Sequence, residues 1–279
     1  MGTLADYLDT NAPRRNPPYR PLATIDAEER ERLQDRIGGP DNYASDVLQQ
    51  MILEDPEDLE YKRALASSIV SAEYAGIDAF GRNVARWEDQ PVPDGLIHAM
   101  VRQTWDEVRH ARLGTELLEH YGGTLGEYPD TLAGSSDAAT QTDDERRAMR
   151  IRQLNPVVSL SSVNVGVEGA ALRLFSGVSR LGERVGDQMM RHVYDYNWAD
   201  EVVHVSIGDW FLKKIAEDRP ETEAMALRAQ GMTEAGRVQV RRNVSEQVKL
   251  EVREFMEGET DRASSVLVGP LSDGYEPDR

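Results

Sequence analysis

The chain repeats one short pattern, a glutamate followed three residues later by a histidine. The pattern occurs at Glu107 and His110 and again at Glu201 and His204. Side chains three residues apart are neighbours on one face of an α-helix, so each copy places a carboxylate beside an imidazole. Two such helices supply most of the side chains that hold a pair of metal ions inside a helix bundle. The pattern therefore predicts a helical protein with a buried two-metal site.

Two further glutamates stand at matching distances before these pairs. Glu73 lies 34 residues before Glu107, and Glu168 lies 33 residues before Glu201. Either distance fits two antiparallel helices joined by a short turn. The two halves also share residues at equivalent positions: Ala75 and Ala170, Phe80 and Phe175, His98 and His192, and Gly114 and Gly208. The repeat predicts six metal ligands, which are Glu73, Glu107, His110, Glu168, Glu201 and His204.

Glu73 interrupts an otherwise apolar helix face. The apolar members of that face are Ala66, Ile69, Val70, Ile77 and Phe80. A lone ionised glutamate in a bundle core carries a large desolvation penalty unless it is paired, protonated or bound to a metal. A glutamate considered by itself is more often on the surface or in a salt bridge. Because it has three counterparts at repeated positions, Glu73 is instead predicted to face the core as a ligand.

Composition narrows the function classes. The 279 residues, 39% of them hydrophobic, are enough for a substantial core. The absence of cysteine excludes disulfides, thiolate metal sites and thiol catalysis. A formal charge of −18 opposes binding to nucleic acid. No apolar run reaches membrane-spanning length and the first residues lack the features of a signal peptide, so we expect a cytoplasmic protein without a membrane partner.

The chain divides into four predicted segments, and the predicted fold class is all-α. Residues 1–55 form an arm with one short helix from Asp26 to Ile37, packed on the rest of the chain or on a partner subunit. A disordered leader is the alternative for this arm. The other segments are a two-metal helix bundle in residues 56–218, a C-terminal helical extension in residues 219–258 and a mobile tail in residues 259–279.

Four long helices are expected in the bundle, as two antiparallel pairs joined by a long crossover. Their expected ranges are Pro56 to about Asp89, Asp94 to Tyr121, Thr142 to a turn near Gly182 with a kink or restart at Pro156, and Arg184 to Glu217. Asp55 is the expected N-cap of the first helix. Gly122 and Gly123 are placed to end the second helix, and the Gly-, Ser- and Thr-rich residues 122–141 are the expected crossover.

The donor atoms narrow the choice of metal. Four carboxylates and two imidazoles make an oxygen-rich site suited to iron or manganese, whereas structural zinc favours four sulfur or nitrogen ligands. Asp106 and Asp200 each precede a ligand glutamate, and we expect them to accept hydrogen bonds from the Nδ1–H groups of ligand histidines across the bundle. Arg109 is expected to bind such a carboxylate. Exposure to solvent is the alternative for all three residues.

The ligand set resembles that of the ferritin-like di-iron carboxylate superfamily. Asp106-Glu107-Val108-Arg109-His110 is similar to the Asp-Glu-x-Arg-His motif of the bacterial multicomponent monooxygenases in that superfamily. The segment from Asp200 to Phe211 also looks like little-characterised ferritin-like proteins. The resemblance covers about residues 57–217. It implies a ferritin-like four-helix bundle, two iron ions with manganese or a mixed pair as alternatives, O2 as the oxidant and an external electron donor.

Departures from the better-known members narrow the reaction. Gly114 stands four residues after His110, where ribonucleotide reductase subunits carry a radical tyrosine. The residues after Glu168, Gly169-Ala170-Ala171-Leu172, include no threonine like that of the monooxygenases and desaturases. Without cysteine, the chain cannot contain the Cys-ligated iron domain of rubrerythrin-like peroxidases. These differences argue against direct assignment to any of these groups.

The expected function is a di-iron oxygenase or oxidase that hydroxylates, N-oxygenates or desaturates a small organic molecule. Partners consistent with this function are the substrate, an electron-transfer protein and, in a homodimer, a second copy of the chain. Two alternatives remain open. One is a ferroxidase or manganese catalase, and the other is a metal-free helical interaction protein whose carboxylates form a polar core.

Two sets of residues near the ligands have open roles. Five glycines within one helical turn of a ligand either clear space for O2 and a substrate or allow close helix packing. They are Gly76, Gly114, Gly166, Gly169 and Gly208. Four aromatic residues flank the ligands, with core packing as the expected role and electron relay as the alternative. They are Tyr74, Trp105, Tyr196 and Trp198.

Overall fold

A computed structural model describes residues 20–21, 25–37, 47, 51–52, 54–87, 90–130 and 155–240. This part of the chain is mostly helical, as predicted. Its elements are β1 (Arg20–Pro21), α1 (Ala27–Ile37), α2 (Leu59–Trp87), α3 (Asp94–His120), β2 (Pro129–Asp130), α4 (Pro156–Ser159), a π-helical segment (Leu160–Val167), α5 (Glu168–Val185), α6 (Gln188–Asp218) and α7 (Glu221–Val240). The two short strands pair in parallel. Most of the crossover, the expected helix start at Thr142 and residues 259–279 lie outside the described residues.

The long helices pack as two consecutive pairs. Helix α2 packs along α3, α5 packs along α6, and the pairs meet where α3 contacts α6. Apolar side chains fill the space between the helices at two levels. One cluster contains Leu65, Phe175 and Tyr194, and the other contains Phe80 and Leu160 among its members. On each helix the predicted metal ligands lie between these two clusters, so the site is enclosed by apolar layers.

Several helix ends differ from the predicted ones because other residues cap them. Helix α2 begins after Asp58, whose carboxylate accepts hydrogen bonds from two backbone N–H groups of the first turn, so Asp55 is not its N-cap.

Helix α5 continues past Gly182 to Val185, where Gly186 adopts a left-handed conformation with φ +75°. Helix α6 then starts at Gln188, with Asp187 as N-cap, rather than at Arg184.

The expected third helix is correct in position but not in its regularity. It begins at Pro156, where the Asn155 side chain caps the first turn. From Leu160 to Val167 the backbone is π-helical, and it returns to α-helical geometry at Glu168. Segments of this kind are uncommon and are frequently found at functional sites. A helix does begin at Pro156, where a kink or restart was predicted, but the π-helical stretch that leads into Glu168 was not predicted.

Part of the N-terminal arm packs on the helices. Leu33 of α1 and two later side chains, Val47 and Met51, are fully or almost fully buried in the cluster that contains Leu65. Arg36 also donates a hydrogen bond to Glu60 at the start of α2. The described residues of the arm therefore pack against the helices.

A partly buried ion pair ties the start of α6 to α2 and α3. The Lys62 ammonium lies 2.8 Å from Asp187 Oδ2, and the Tyr121 hydroxyl donates to the same oxygen at 2.9 Å. Burial favours the neutral acid, but the hydrogen bonds from Lys62, the Met190 N–H and Tyr121 outweigh it and lower the pKa of Asp187. The ionised carboxylate is thus the form that the folded protein stabilises.

We expect Asp187→Asn to lower the free energy of unfolding at neutral pH by about 2 kcal/mol, because asparagine keeps the cap but not the charge. The lowered pKa of Asp187 makes this stabilisation complete above the ordinary aspartate pKa and removes it as the pH falls through the folded-state value. Urea unfolding of both proteins between about pH 7 and pH 2 measures the difference. The two curves should converge in acid; parallel curves would contradict the assignment.

None of the described helices combines the length and the apolar character that a bilayer crossing requires.

Candidate metal centre

The structure brings the six predicted ligands together at one place in the interior. Helix α2 contributes Glu73, α3 contributes Glu107 and His110, α5 contributes Glu168, and α6 contributes Glu201 and His204. None of the six side chains belongs to a residue more than 7% exposed. Within the described residues, their ligand atoms form two overlapping groups, each with all of its atoms within 4.8 Å of one another. A buried two-centre cluster of carboxylates and imidazoles results.

Both histidines turn Nδ1 toward the carboxylates. His110 Nδ1 lies 3.4 Å from Glu201 Oε1 and 3.6 Å from Glu107 Oε2. His204 Nδ1 lies 3.0 Å from Glu201 Oε2 and 3.4 Å from Glu107 Oε1. Each of these two glutamates therefore faces one histidine with one oxygen and the other histidine with its second oxygen. This is the position required of a carboxylate that bridges two metal ions.

The two lone glutamates lie at opposite ends of the cluster. Glu73 Oε2 is 3.2 Å from His110 Nδ1 and belongs to the group that contains His110. Glu168 belongs to the group that contains His204. Each half of the cluster thus combines one histidine and one lone glutamate with the two glutamates that face both histidines. The twofold repeat in the sequence corresponds to these two halves.

The outer nitrogens of the histidines contact the predicted aspartates, in a crossed arrangement. His110 Nε2 lies 3.0 Å from Asp200 Oδ2, and His204 Nε2 lies 3.3 Å from Asp106 Oδ2. The predicted aspartates are correct, but the histidine atom is Nε2 rather than Nδ1. The physical reason is that each imidazole points Nδ1 at the carboxylate cluster, which leaves only Nε2 for the outer partner. Arg109 donates to both aspartates and joins the two halves.

Electrostatics in the cluster show a shortage of positive charge. Burial raises the pKa of Glu107 and of Glu168 well above the ordinary glutamate value. For Glu73 burial acts in the same direction, but the hydrogen bond and charge of His110 outweigh it and lower the pKa. Burial alone would lower a histidine pKa, yet the surrounding carboxylates raise the pKa of His204 to about 10 and that of His110 as well. The cluster therefore retains protons at neutral pH.

The side chains of the cluster fit a pair of divalent cations. Glu107 Oε1 is buried without a hydrogen-bond partner, although it lies inside the ligand cluster. An unsatisfied buried carboxylate oxygen is costly, and a bound cation would satisfy it. The donors are four carboxylates and two imidazoles, a set suited to iron or manganese. The aspartates on the outer nitrogens supply the orientation that metal-bound histidines normally have.

Two buried amides beside the cluster were not predicted. The Gln103 side chain donates to Glu168 Oε1 at 3.3 Å, and Asn164 Nδ2 donates to Gln103 Oε1 at 2.7 Å. Neither residue is exposed at all. Gln103 stands one helical turn before Glu107, and Asn164 one turn before Glu168, so a search for polar residues on the ligand faces could have found both.

The glycines near the ligands separate into two kinds. A Cβ atom would lie 3.1 Å from Glu107 Oε2 at Gly76, 2.8 Å from Val70 Cγ2 at Gly114 and 2.6 Å from Asn164 Cβ at Gly208. These three glycines allow close packing. At Gly169, by contrast, a Cβ would meet nothing within 4 Å, so this glycine borders open space.

The prediction that the flanking aromatic residues pack in the core is wrong for two of them. Trp105 is 66% exposed and Tyr196 is 53% exposed. The reason is helical geometry: two residues before Glu107 and five before Glu201 correspond to rotations of about 160° and 140° away from the ligand face. Tyr196 instead lies under the Arg109 guanidinium, with Arg109 Cζ 5.0 Å from the centroid of the tyrosine ring.

Comparisons with protein-family models, with curated proteins and with solved structures give no match to this chain. The interpretation of the cluster therefore rests on the repeated motif and on the positions of these side chains.

Proposed function

We propose that the protein is a ferritin-like di-iron oxidoreductase that uses O2 to oxidise a small organic molecule. The observation that carries the proposal is the pair of glutamates, Glu107 and Glu201, that each face both histidines. A single-ion site needs no such carboxylate, whereas two ions held a few ångströms apart do. Bound iron would supply the redox chemistry with O2.

The protein's own residues would perform the holding and the shielding. His110 and His204 would each bind one ion through Nδ1, with Glu73 and Glu168 as terminal ligands. Asp106 and Asp200 accept hydrogen bonds from the Nε2–H groups, which fixes each ring and strengthens it as a ligand. The apolar clusters on either side of the ligands keep bulk water from the centre.

The enclosure of the site favours a small substrate. Both histidines are completely buried, so the described residues present no ligand nitrogen to the surface. A macromolecule could not reach the ions without unfolding a helix, whereas O2 and a small organic molecule need only a narrow path. Reduction of the metal pair requires electrons from an external donor. The reaction at the substrate is proposed as hydroxylation, N-oxygenation or desaturation.

Metal analysis followed by an oxygen reaction tests this proposal. Protein purified without added metal, or loaded anaerobically with iron(II), should hold about two iron ions per chain. When O2 is then added, an oxygen electrode should record its consumption by the protein. Glu107→Ala should lose both the bound iron and the O2 consumption. Manganese content with rapid breakdown of hydrogen peroxide would favour a catalase instead. A chain that binds no metal and consumes no O2 would overturn the proposal.

A further inference from the structure

Two fully buried amide side chains connect the backbone of α6 to one metal ligand. Asn164 Nδ2 donates to the backbone carbonyl of His204 at 3.2 Å and to Gln103 Oε1 at 2.7 Å. Gln103 Nε2 in turn donates to Glu168 Oε1 at 3.3 Å. The chain of hydrogen bonds therefore runs from α6 through the π-helical segment and α3 to the first residue of α5. Among the described residues, both direct contacts with ligand residues fall in the half of the cluster that contains His204.

The backbone carbonyl of His204 fixes which group donates and which accepts in every hydrogen bond of this series. A carbonyl oxygen can only accept, so Asn164 must turn its NH2 group, not its oxygen, toward His204. The same NH2 group then meets the oxygen of Gln103, which leaves the NH2 group of Gln103 for Glu168. Glu168 Oε1 is the oxygen that accepts from this donor. A main-chain atom thus determines how a ligand carboxylate is presented.

The local backbone is shaped to allow this contact. Asn164 lies within the π-helical segment, whose extra width displaces it from ordinary α-helical register. It packs directly on Gly208, one helical turn after His204, where a Cβ atom would lie only 2.6 Å from Asn164 Cβ. Both the irregular helix and the glycine carry a cost in helix stability. Each is explained if Asn164 must reach the carbonyl of His204.

We propose that Gln103 and Asn164 are positioning residues that orient Glu168 for the ion on the His204 side of the centre. The inference rests on the proposed two-metal function. Glu73, the equivalent glutamate of the other half, is held by His110 rather than by an amide. The two ion sites are therefore unequal, and loss of the amide chain should weaken one of them selectively. Partners of this kind contribute about tenfold to a hundredfold to metal affinity.

Titration of the metal-free protein with manganese(II), with free Mn²⁺ followed by its EPR signal, tests the inference without any turnover. Wild type should bind two ions. Gln103→Met replaces the amide with an apolar side chain of similar length, and one of the two dissociation constants should rise about tenfold to a hundredfold while the other is unchanged. Asn164→Asp should have the same effect, because a carboxylate cannot donate and the Gln103 amide would then turn its oxygen toward Glu168.

Asn83→Leu is the matched control. Asn83 is a buried amide that donates to Ser159 Oγ at 3.0 Å, and it lies ten residues beyond Glu73, about 15 Å along α2. This variant should lose stability but keep both wild-type dissociation constants. If Gln103→Met loses its helical circular dichroism, the isosteric Asn164→Asp decides the question.

The outcomes separate the two proposals. If wild type binds two ions and both amide variants bind them with the same dissociation constants, the positioning role is overturned and the two-metal function stands. Equally weakened binding of both ions would also overturn the positioning role, because the two amides contact ligand residues only in the half that contains His204. A wild-type chain that binds no divalent ion would overturn both proposals.

Discussion

Addition of iron(II) or manganese(II) to the metal-free protein is expected to raise its free energy of unfolding by about 3 kcal/mol for each ion, at a free-ion concentration roughly one hundred times the dissociation constant. The ligands come together only in the folded chain, so binding energy becomes folding energy. Four carboxylates from four helices share a space that water does not reach. Two divalent cations would remove the repulsion among them.

Protons compete with the metal ions for the same atoms. The pKa values of Glu107 and Glu168 are raised by burial, and that of His204 is raised to about 10 by its acidic neighbours. Groups with raised pKa values hold protons until the pH rises, and a metal ion must displace them. Metal loading should therefore release protons, and the gain in stability should be larger at about pH 8 than at about pH 6.

Thermal or urea unfolding with metal, with chelator and with magnesium as an ionic-strength control measures this gain. Magnesium should stabilise the chain much less, because it gives up its water ligands reluctantly and is seldom held by an all-protein cage. Identical unfolding in all three conditions would support the interpretation of the cluster as a metal-free polar core. That result would contradict the proposed function directly.

The positions of the six proposed ligands could be predicted because helical geometry is regular. A Glu-x-x-His pair on a helix has one arrangement, and the repeated spacing before it identified Glu73 and Glu168 as their partners. The apolar face around Glu73 made its burial a reasonable expectation. Secondary structure near these motifs followed for the same reason, since their helices are long and strongly patterned.

The remaining features depend on contacts between helices, which spacing along one helix does not specify. Which glutamates face both histidines follows from how the pair α2 and α3 packs on the pair α5 and α6. The turn of each imidazole, with Nε2 rather than Nδ1 outward, depends on the same packing. Asn164 contacts Gln103 from within the π-helical segment, and nothing in the sequence indicates that the helix would widen there. Amides are also common at surfaces, so neither was a strong candidate by type.

Glu107→Gln is expected to weaken the binding of both metal ions, whereas Glu168→Gln is expected to weaken the binding of only one. Burial raises the pKa values of both glutamates well above the ordinary range, so replacing either with a neutral glutamine removes a charge that the interior disfavours. Neither substitution should therefore reduce the stability of the metal-free chain by much. With metal present the two variants should differ, because Glu107 faces both histidines and Glu168 belongs to the His204 group alone.

The expected size of the effect follows from the loss of a charged ligand. A neutral amide is a much poorer ligand for a divalent cation than a carboxylate is. The metal dissociation constant should therefore rise by more than about a hundredfold, which is the upper limit of what outer partners of metal ligands contribute. Elemental analysis should give about two ions per chain for wild type, about one for Glu168→Gln and almost none for Glu107→Gln at moderate free-metal concentration. Retention of one tightly bound ion in Glu107→Gln would show that this glutamate does not bridge. Glu201 would then be the only one of the four glutamates that serves both ions.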